Sequence, residues 1–554
     1  MKKLITRSEY RFVFLVAAAL LAVTTLPYLF GYATAPEGKQ FMGLMINVPD
    51  HGQYLAWWRG FQSDVLINNK LTSEPNDPMF FNLQWWLLAK FSQVTGTGYP
   101  LAYQLLRLIG GLFLFWAAYR LIALFFDDVP RRRAAFLMIA LASGFGWIII
   151  ALKYTVMNGE TFYPLLVYAS EPNYFLCLLG SPHFALAAGF ICLILEFVFR
   201  AWKDNSVGRM AAAGGIAFVL GWMHAYDLLI IYGVVGAFFL LQWIRRRAFP
   251  VRFFWGAAAL GVISVAPALY SYLLTSLDPL WEEVLAQFAN AGVYTPAPWW
   301  LFFLFGVPLF LAVWGLVVWF REKRWSDERL FVATWFGVGF LLLYIPTDFQ
   351  IHMLNSWQIP AAILASDVLY RRVIPAVERR FSRPPLGIGA AKWVMAALIV
   401  AILPTNLYLF AWRFIELARH EYPYFLETDY IEAMDWLREN SSPDDVILSS
   451  LEIGQYVPAM TNNHAFLAHW ANTIQFYVKR QSASDFYTVD FPDARRAEIA
   501  RLYGVDYVLH GPAEAALGGY GLEGSTWLKP VFETPQVTVY QVQEAVLSTE
   551  PAAP

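Results

Sequence analysis

The chain has 554 residues, enough for several soluble domains, but 58% of them are hydrophobic and only 15% charged, which excludes that organisation. The formal charge of −2 conceals an uneven placement of basic residues and lends no support to binding of nucleic acid. Two cysteines, Cys177 and Cys192, are too few for a disulfide framework and read as buried free thiols.

The N-terminus imitates a secretory signal, with Lys2, Lys3, Arg7 and Arg11 before an apolar run and Ala33-Thr-Ala35 after it. The run from Phe12 to Phe30 is longer than a signal core, and Pro36 would follow the cut, so the segment reads as a retained first span. Apolar segments then recur at 12–31, 100–126, 134–152, 183–200, 210–223, 228–244, 253–274, 298–320, 330–346, 356–370 and 390–412. The predicted fold class is a polytopic α-helical membrane protein of about eleven spans. The stretch 210–244 counts as two short spans, because one long helix would leave His224 and Asp227 in hydrocarbon.

Cations test the count. With the N-terminus cytoplasmic, the inner segments receive Arg131-Arg-Arg133, Arg200/Lys203/Arg209, Arg245-Arg-Arg247, Arg321/Lys323/Arg324 and Arg371/Arg372/Arg379/Arg380. The outer segments at 224–227, 275–297 and 347–355 contain no Lys or Arg. The expected location is therefore the plasma (inner) membrane, with the tail on the extracytoplasmic side. Residues 1–412 form the predicted membrane core, 413–545 a small extracytoplasmic α/β domain, and 546–554 a disordered tail. In that domain Asp429–Asn440 and 493–503 read as helices, and Asp445–Ser449, Val505–Leu509, 528–533 and 537–542 as strands. No glycine loop of the phosphate-cradling kind precedes a helix there, so no nucleotide site is expected.

The outer loop 32–99 holds two predicted juxtamembrane helices, near 50–62 and 78–91. Read as a helix, the first places Asp50, Tyr54, Trp57, Trp58 and Phe61 on one face, a carboxylate beside an aromatic stripe of the kind that favours the bilayer interface. The plain alternative is an interfacial helix whose Asp50 caps its own N-terminus. The second helix offers Phe80, Phe81, Trp85 and Trp86, and is too short to span.

A span, then an outer loop with an acidic residue opening an amphipathic helix, then a second such helix, resembles the GT-C fold glycosyltransferases. Protein mannosyltransferases and aminoarabinose transferases belong to that superfamily. The resemblance covers roughly 1–412 and extends to an outer C-terminal domain of the sort several members have. Asp50 matches the acidic position of the loop, and Glu74-Pro-Asn-Asp-Pro78 stands where many members have a His-Pro-Pro-like start to the second helix. The resemblance implies transfer of a hexosyl or pentosyl group from a polyprenyl-phosphate sugar to a glycan, lipid or protein acceptor on the outer face, in assembly of the cell envelope. No Asp-x-Asp pair surrounds Asp50, so a divalent metal is not indicated, and no other cofactor is expected.

Such a reaction needs a base for the acceptor hydroxyl and a cation for the departing phosphate. Asp50 is the candidate base, with His51, Tyr54 and Glu74 beside it in sequence. Candidate partners for phosphate or acceptor are Arg107, Lys153 and His352, the last in Asp348-Phe-Gln-Ile-His352. A structural ion pair for Arg107 and a membrane-edge anchor for Lys153 are the plain readings. Asp50, His51, Glu171, His183, His224, Asp227 and His352 all fall on the predicted outer side, which points to a polar outer cavity. No metal-ligand spacing joins these histidines. His464 and His469 read either as an acceptor surface or as packed histidines of the outer domain. Two other functions fit the same features, a transporter or flippase of a lipid-linked substrate and an inactive scaffold of the GT-C type. The sequence shows no matched pair of interrupted spans such as transporters use.

Overall fold

The computed structural model describes residues 5–160, 163–288, 294–380, 389–519 and 522–543, so the expected disordered tail lies outside the described residues. Each apolar segment of the sequence coincides with a helix or a pair of helices. Six are long and apolar enough to cross a membrane: Arg7–Thr34, Tyr99–Ile122, Val129–Thr155, Pro182–Asp204, Asp227–Arg246 and Val251–Leu277. Two further pairs pass the same test but bend, by 119° between Pro298–Phe305 and Val307–Glu322 and by 44° between Ala390–Ile402 and Pro404–Leu417. Gly306, at φ 61°, breaks the first pair ahead of Pro308, and Pro404 opens the second helix of the other pair, where its ring cannot follow a continuous helical turn. The segments at 210–223, 330–346 and 356–370 form helices of 15, 16 and 11 residues (Val207–Gly221, Asp327–Leu342, Gln358–Val368). Length and composition therefore mark six spans, or eight with the bent pairs, among the described residues.

The chain divides into two compact units. The first comprises Met1–Pro27, Leu105–Ser271 and Val293–Phe414. It is helical, and two of its buried acids, Glu9 and Glu196, are held by arginines. Glu9, 1% exposed, accepts from Arg132 at 2.9 Å and from the Tyr119 hydroxyl at 2.8 Å. Glu196 is gripped by Arg120 at 2.7 Å and Arg200 at 2.9 Å. Charges taken out of water demand such pairing.

The second unit comprises Tyr28–Gln104, Tyr272–Gly292 and Ile415–Pro554. Strand β1 (Lys39–Phe41) pairs antiparallel with β2 (Phe425–Glu427). Five further strands, β3 (Val446–Leu448), β4 (His464–Ala465), β5 (Val505–His510), β6 (Leu528–Glu533) and β7 (Thr538–Val542), form one sheet in the order β4-β3-β5-β7-β6. β3 runs parallel to β4 and β5, and β7 antiparallel to β5 and β6. β3 is apolar and buried throughout, as a strand covered on both faces should be. Phe466, Phe486, Tyr487 and Trp527 fill the core beside it. The helices Thr428–Asn440 and Asp493–Leu502 and the strands at 446–448, 505–510, 528–533 and 538–542 fall where the sequence places them. The helix Phe476–Phe486 and the short strand β4 were not legible in it.

Candidate active site at Asp50 and a histidine cluster

The Asp50 helix runs from Val48 to Ser63, with Pro49 in its first turn. Its N-cap is Asn47, in the left-handed region at φ 48°, and Asp50 sits inside the first turn. The capping reading of Asp50 is thereby corrected. The aromatic stripe has a partner within the unit: Tyr54 stacks on Trp85 at 4.5 Å, and Trp57 and Phe61 meet Phe80 at 4.4 and 6.4 Å. The second helix spans Leu83–Thr95 rather than 78–91, because the Asn82 side chain caps it and accepts from the amides of Gln84 and Trp85. Phe80 is drawn into a backbone bridge with Ile67 instead. His51 turns away from Asp50 into the interior, 1% exposed, with its Nε2 3.4 Å from the Tyr103 hydroxyl.

Gly52 lets this helix approach the segment after β3. A Cβ there would come within 2.9 Å of the Gln455 carbonyl, so no larger residue fits without displacement. The same packing brings His469 to Asp50. The His469 Nε2 lies 3.5 Å from Asp50 Oδ1, with the imidazole 1% exposed and the Asp50 side chain 34% exposed. On the other side of the ring Nδ1 accepts from the amides of Ala471 at 3.1 Å and Asn472 at 3.2 Å. Backbone N–H groups can only donate, so the ring proton belongs on Nε2, facing the carboxylate. The His469 N–H edge therefore lies beside one oxygen of Asp50 without a formed hydrogen bond, and the carboxylate is 34% exposed.

The turn carrying His469 is itself held firmly. Thr473 Oγ1 accepts from the His469 amide at 3.0 Å and donates to the Leu71 carbonyl at 2.6 Å. From the helix Pro279–Gln287, Gln287 donates to the carbonyls of Ala471 and Thr473 at 2.8 and 3.0 Å. Glu74 belongs to this anchorage. Its carboxylate takes the Lys479 ammonium at 2.7 Å, and Lys479 also reaches Ser73 Oγ at 2.8 Å. Lys479 is wholly buried; burial pulls its pKa below the ordinary value, and Glu74 opposes that pull. Glu74 Oε2 also accepts from the Thr72 hydroxyl.

His464 ties the same loop down. Its Nδ1 lies 2.9 Å from the Thr72 carbonyl and its Nε2 3.3 Å from Asn68 Nδ2, so the neutral ring donates to one and accepts from the other. Burial holds its pKa below the ordinary 6.5. The unfolded chain therefore binds the proton more readily than the folded one, and this contribution to stability is complete above pH 6.5 and is lost as pH falls through the lower folded value. The melting temperature of the wild-type protein should drop more steeply below pH 6.5 than that of His464→Asn, which keeps the donor at the Nδ1 position. Parallel slopes would contradict the assignment.

In the first unit five of the predicted residues come together from four segments. His352 Nδ1 meets Glu171 Oε1 at 2.7 Å and its ring stacks on Tyr226 at 5.0 Å. His224 Nδ1 lies 2.9 Å from the Tyr226 hydroxyl and 3.4 Å from Asp227 Oδ2. His183, at the start of Pro182–Asp204, faces His224 with ring centres 5.5 Å apart. Asp227 is fully buried and accepts from Asn355 at 3.2 Å, while its Oδ1 has no hydrogen-bond partner among the described residues. Arg107 is committed elsewhere, donating to Thr24 and Thr25 at 2.9 and 2.5 Å and to the Leu178 carbonyl at 3.0 Å. Lys153 lies 5.4 Å from the Tyr154 ring centre, and none of the described hydrogen bonds or ring contacts joins it to the histidines. Cys177 and Cys192 are buried and free.

No family model matches the chain, and no curated protein matches it. Solved structures do. The oligosaccharyltransferase of Archaeoglobus fulgidus, in a complex with Zn and sulfate, superposes with a TM-score of 0.52 at 14% identity, over 95% of this chain and 73% of that one. The same enzyme tethered to an acceptor peptide gives 0.52 at 14% identity, over 89% and 69%. ArnT from Cupriavidus metallidurans bound to undecaprenyl phosphate matches at 0.49 and 14% identity, over 96% and 97%. The chain has the GT-C fold.

Within this GT-C chain no group of three or more His, Cys, Asp or Glu side chains among the described residues is arranged to hold a metal ion. At Asp50 the nearest ionisable group is the His469 ring, its Nε2 3.5 Å from one carboxylate oxygen. Sequence reasoning picked out His469 without its role, and did not single out Lys479. The only sequence signal for His469 is the turn His469-Trp-Ala-Asn-Thr473, whose Thr and Asn favour a tight reversal.

Proposed function

We propose that this protein is an integral membrane glycosyltransferase that moves a sugar from a polyprenyl-phosphate donor to an acceptor hydroxyl on the extracytoplasmic face, with Asp50 as the general base. The observation that carries the reading is the half-open Asp50 carboxylate on an aromatic helix, with a buried His469 behind it. The GT-C fold supports it. In the reaction Asp50 takes the proton of the acceptor hydroxyl as its oxygen bonds the sugar carbon, and the bond from that carbon to the carrier phosphate breaks with its electron pair on the phosphate. The leaving group departs as a stable anion, so it needs charge stabilisation more than a proton. Among the residues read as its partners, Arg107 is taken up by hydroxyls and a carbonyl. The anchored position of Glu74 supports a structural role for it.

The test is transfer by the purified full-length protein from a panel of labelled polyprenyl-phosphate sugars. Activity that disappears in Asp50→Asn supports the reading, and no transfer from any donor by the unmutated protein would favour a flippase or an inactive scaffold. His469 is expected to act as a positioning residue. His469→Ala should lower kcat about tenfold to a hundredfold with little change in KM, because a misaimed base loses near-attack geometry. His469→Gln, which restores an N–H at the Nε2 position, should recover part of the loss. An equal fall for both variants, or a change in KM alone, would remove His469 from this role.

A further inference from the structure

The far side of the Asp50 helix borders a cavity that the transfer reaction leaves unused. Arg59 lies nine residues beyond Asp50, two and a half turns on and so about 180° around the helix. With Arg438 from the helix Thr428–Asn440 and Lys39 from β1, it lines a cavity of about 510 Å³. None of the described lining residues is acidic. Apart from Gln40 and Thr428 the remaining wall is apolar or aromatic, with Tyr32, Leu55 and Met460 at least partly exposed over nearly buried Phe41, Trp58 and Tyr456.

The charges in this wall are unevenly compensated. Lys39 has Glu427 at 3.3 Å, and Arg438 has Asp435 at 2.5 Å and Glu439 at 3.6 Å, both outside the cavity. Arg59 has only uncharged acceptors, the Met460 carbonyl at 2.7 Å and Gln62 Oε1 at 3.3 Å, and its Nε has no hydrogen-bond partner among the described residues. Burial, and next the like charge of Arg438, pull the Arg59 pKa below its ordinary value, with Asp435 opposing them in part. Two guanidiniums sharing one partly desolvated space repel each other until an anion enters between them. A cavity of this volume also exceeds what a bare phosphate needs, and its apolar walls gain nothing from a small ion.

Access has a direction as well. Tyr32 lies near the end of the candidate span Arg7–Thr34, and Tyr99 and Pro100 open the candidate span Tyr99–Ile122; all three line the cavity. Ends of spans stand at the level of lipid headgroups. We propose that this cavity binds the phosphate-bearing head of an amphiphile, with the phosphate between Arg59 and Arg438 and the apolar stem along Tyr32, Leu55 and Met460. The site goes beyond the transfer reading and does not depend on it, since it uses neither Asp50 nor the histidine cluster.

The test titrates the detergent-solubilised full chain with dioctanoyl phosphatidic acid, with dioctanoyl glycerol and with inorganic phosphate, by calorimetry. Phosphatidic acid should bind, and the neutral glycerolipid and inorganic phosphate should each bind at least about tenfold more weakly. Arg59→Gln and Arg438→Gln should each weaken phosphatidic acid about tenfold, as loss of a charge-assisted contact does. Arg495→Gln, an exposed arginine paired with Glu498, should leave it unchanged. Arg438 is partly exposed, so its variant keeps the test open even if Arg59→Gln fails to fold. Undiminished binding in Arg438→Gln, an equal loss in Arg495→Gln, or inorganic phosphate binding as tightly as the lipid would each overturn the proposal.

Discussion

Asp50→Asn is expected to reduce sugar transfer by about 10²- to 10⁴-fold while leaving expression, elution and melting temperature close to those of the wild-type protein. The substitution keeps the size and planarity of the side chain and removes only its capacity to take a proton. The fold should tolerate it, because Asn47 rather than Asp50 occupies the cap and the Asp50 side chain is 34% exposed. The amide oxygen of Asn can occupy the same place beside His469 Nε2, so the two effects separate: positioning survives and basicity does not. The measurement is single-turnover transfer from a labelled polyprenyl-phosphate sugar. Full activity in Asp50→Asn would remove Asp50 as the base, and a variant that fails to accumulate would make its role structural.

Glu74→Ala is expected to cost about 3–5 kcal/mol of stability, because it strips the carboxylate from an ammonium that is wholly buried. Lys479 would keep Ser73 and Thr72 as acceptors, and its position 5.3 Å from the Tyr503 ring centre, but none of these neutralises its charge. The double variant Glu74→Ala/Lys479→Met should regain much of the loss, since the uncompensated charge goes with the lysine. Thermal unfolding of the full chain checks both. If Glu74→Ala melts like the wild type and yet loses transfer, Glu74 acts on substrate rather than on Lys479. Its loop also carries the contacts to Thr473 and His464, so local loosening there should reach His469 and reduce transfer secondarily.

Several features of the chain were legible because they are written in short stretches. The apolar segments lie where the helices lie, and the interruption at His224–Asp227 falls between Val207–Gly221 and Asp227–Arg246. The aromatic face of the Asp50 helix follows from residue spacing, and its Tyr54 stacks on Trp85 of the second short helix. The start of that second helix was misread by five residues, because Asn82 supplies a better cap than the Pro78 region and Phe80 finds a backbone partner in Ile67. Local pattern also separated the tail into helices and strands, with the two-residue β4 too brief to leave a periodic signal.

What the sequence by itself determined is the class of the molecule: apolar helices in series, an acidic aromatic helix after the first of them, and a mixed α/β tail. These are properties of windows of some ten to thirty residues, where hydropathy and helical or strand period speak directly. Only the tertiary structure decided which side chain stands behind Asp50, where Glu74 is spent, and that Arg59 and Arg438 share a cavity. Those relations join positions far apart in the chain, such as Lys479 and Glu74 at a separation of 405 residues. They follow from how the loop 68–74, the helix Pro279–Gln287 and the turn 469–473 close on one another. Their contacts lie within a single compact unit, but no local period encodes them, and only packing brings their partners together.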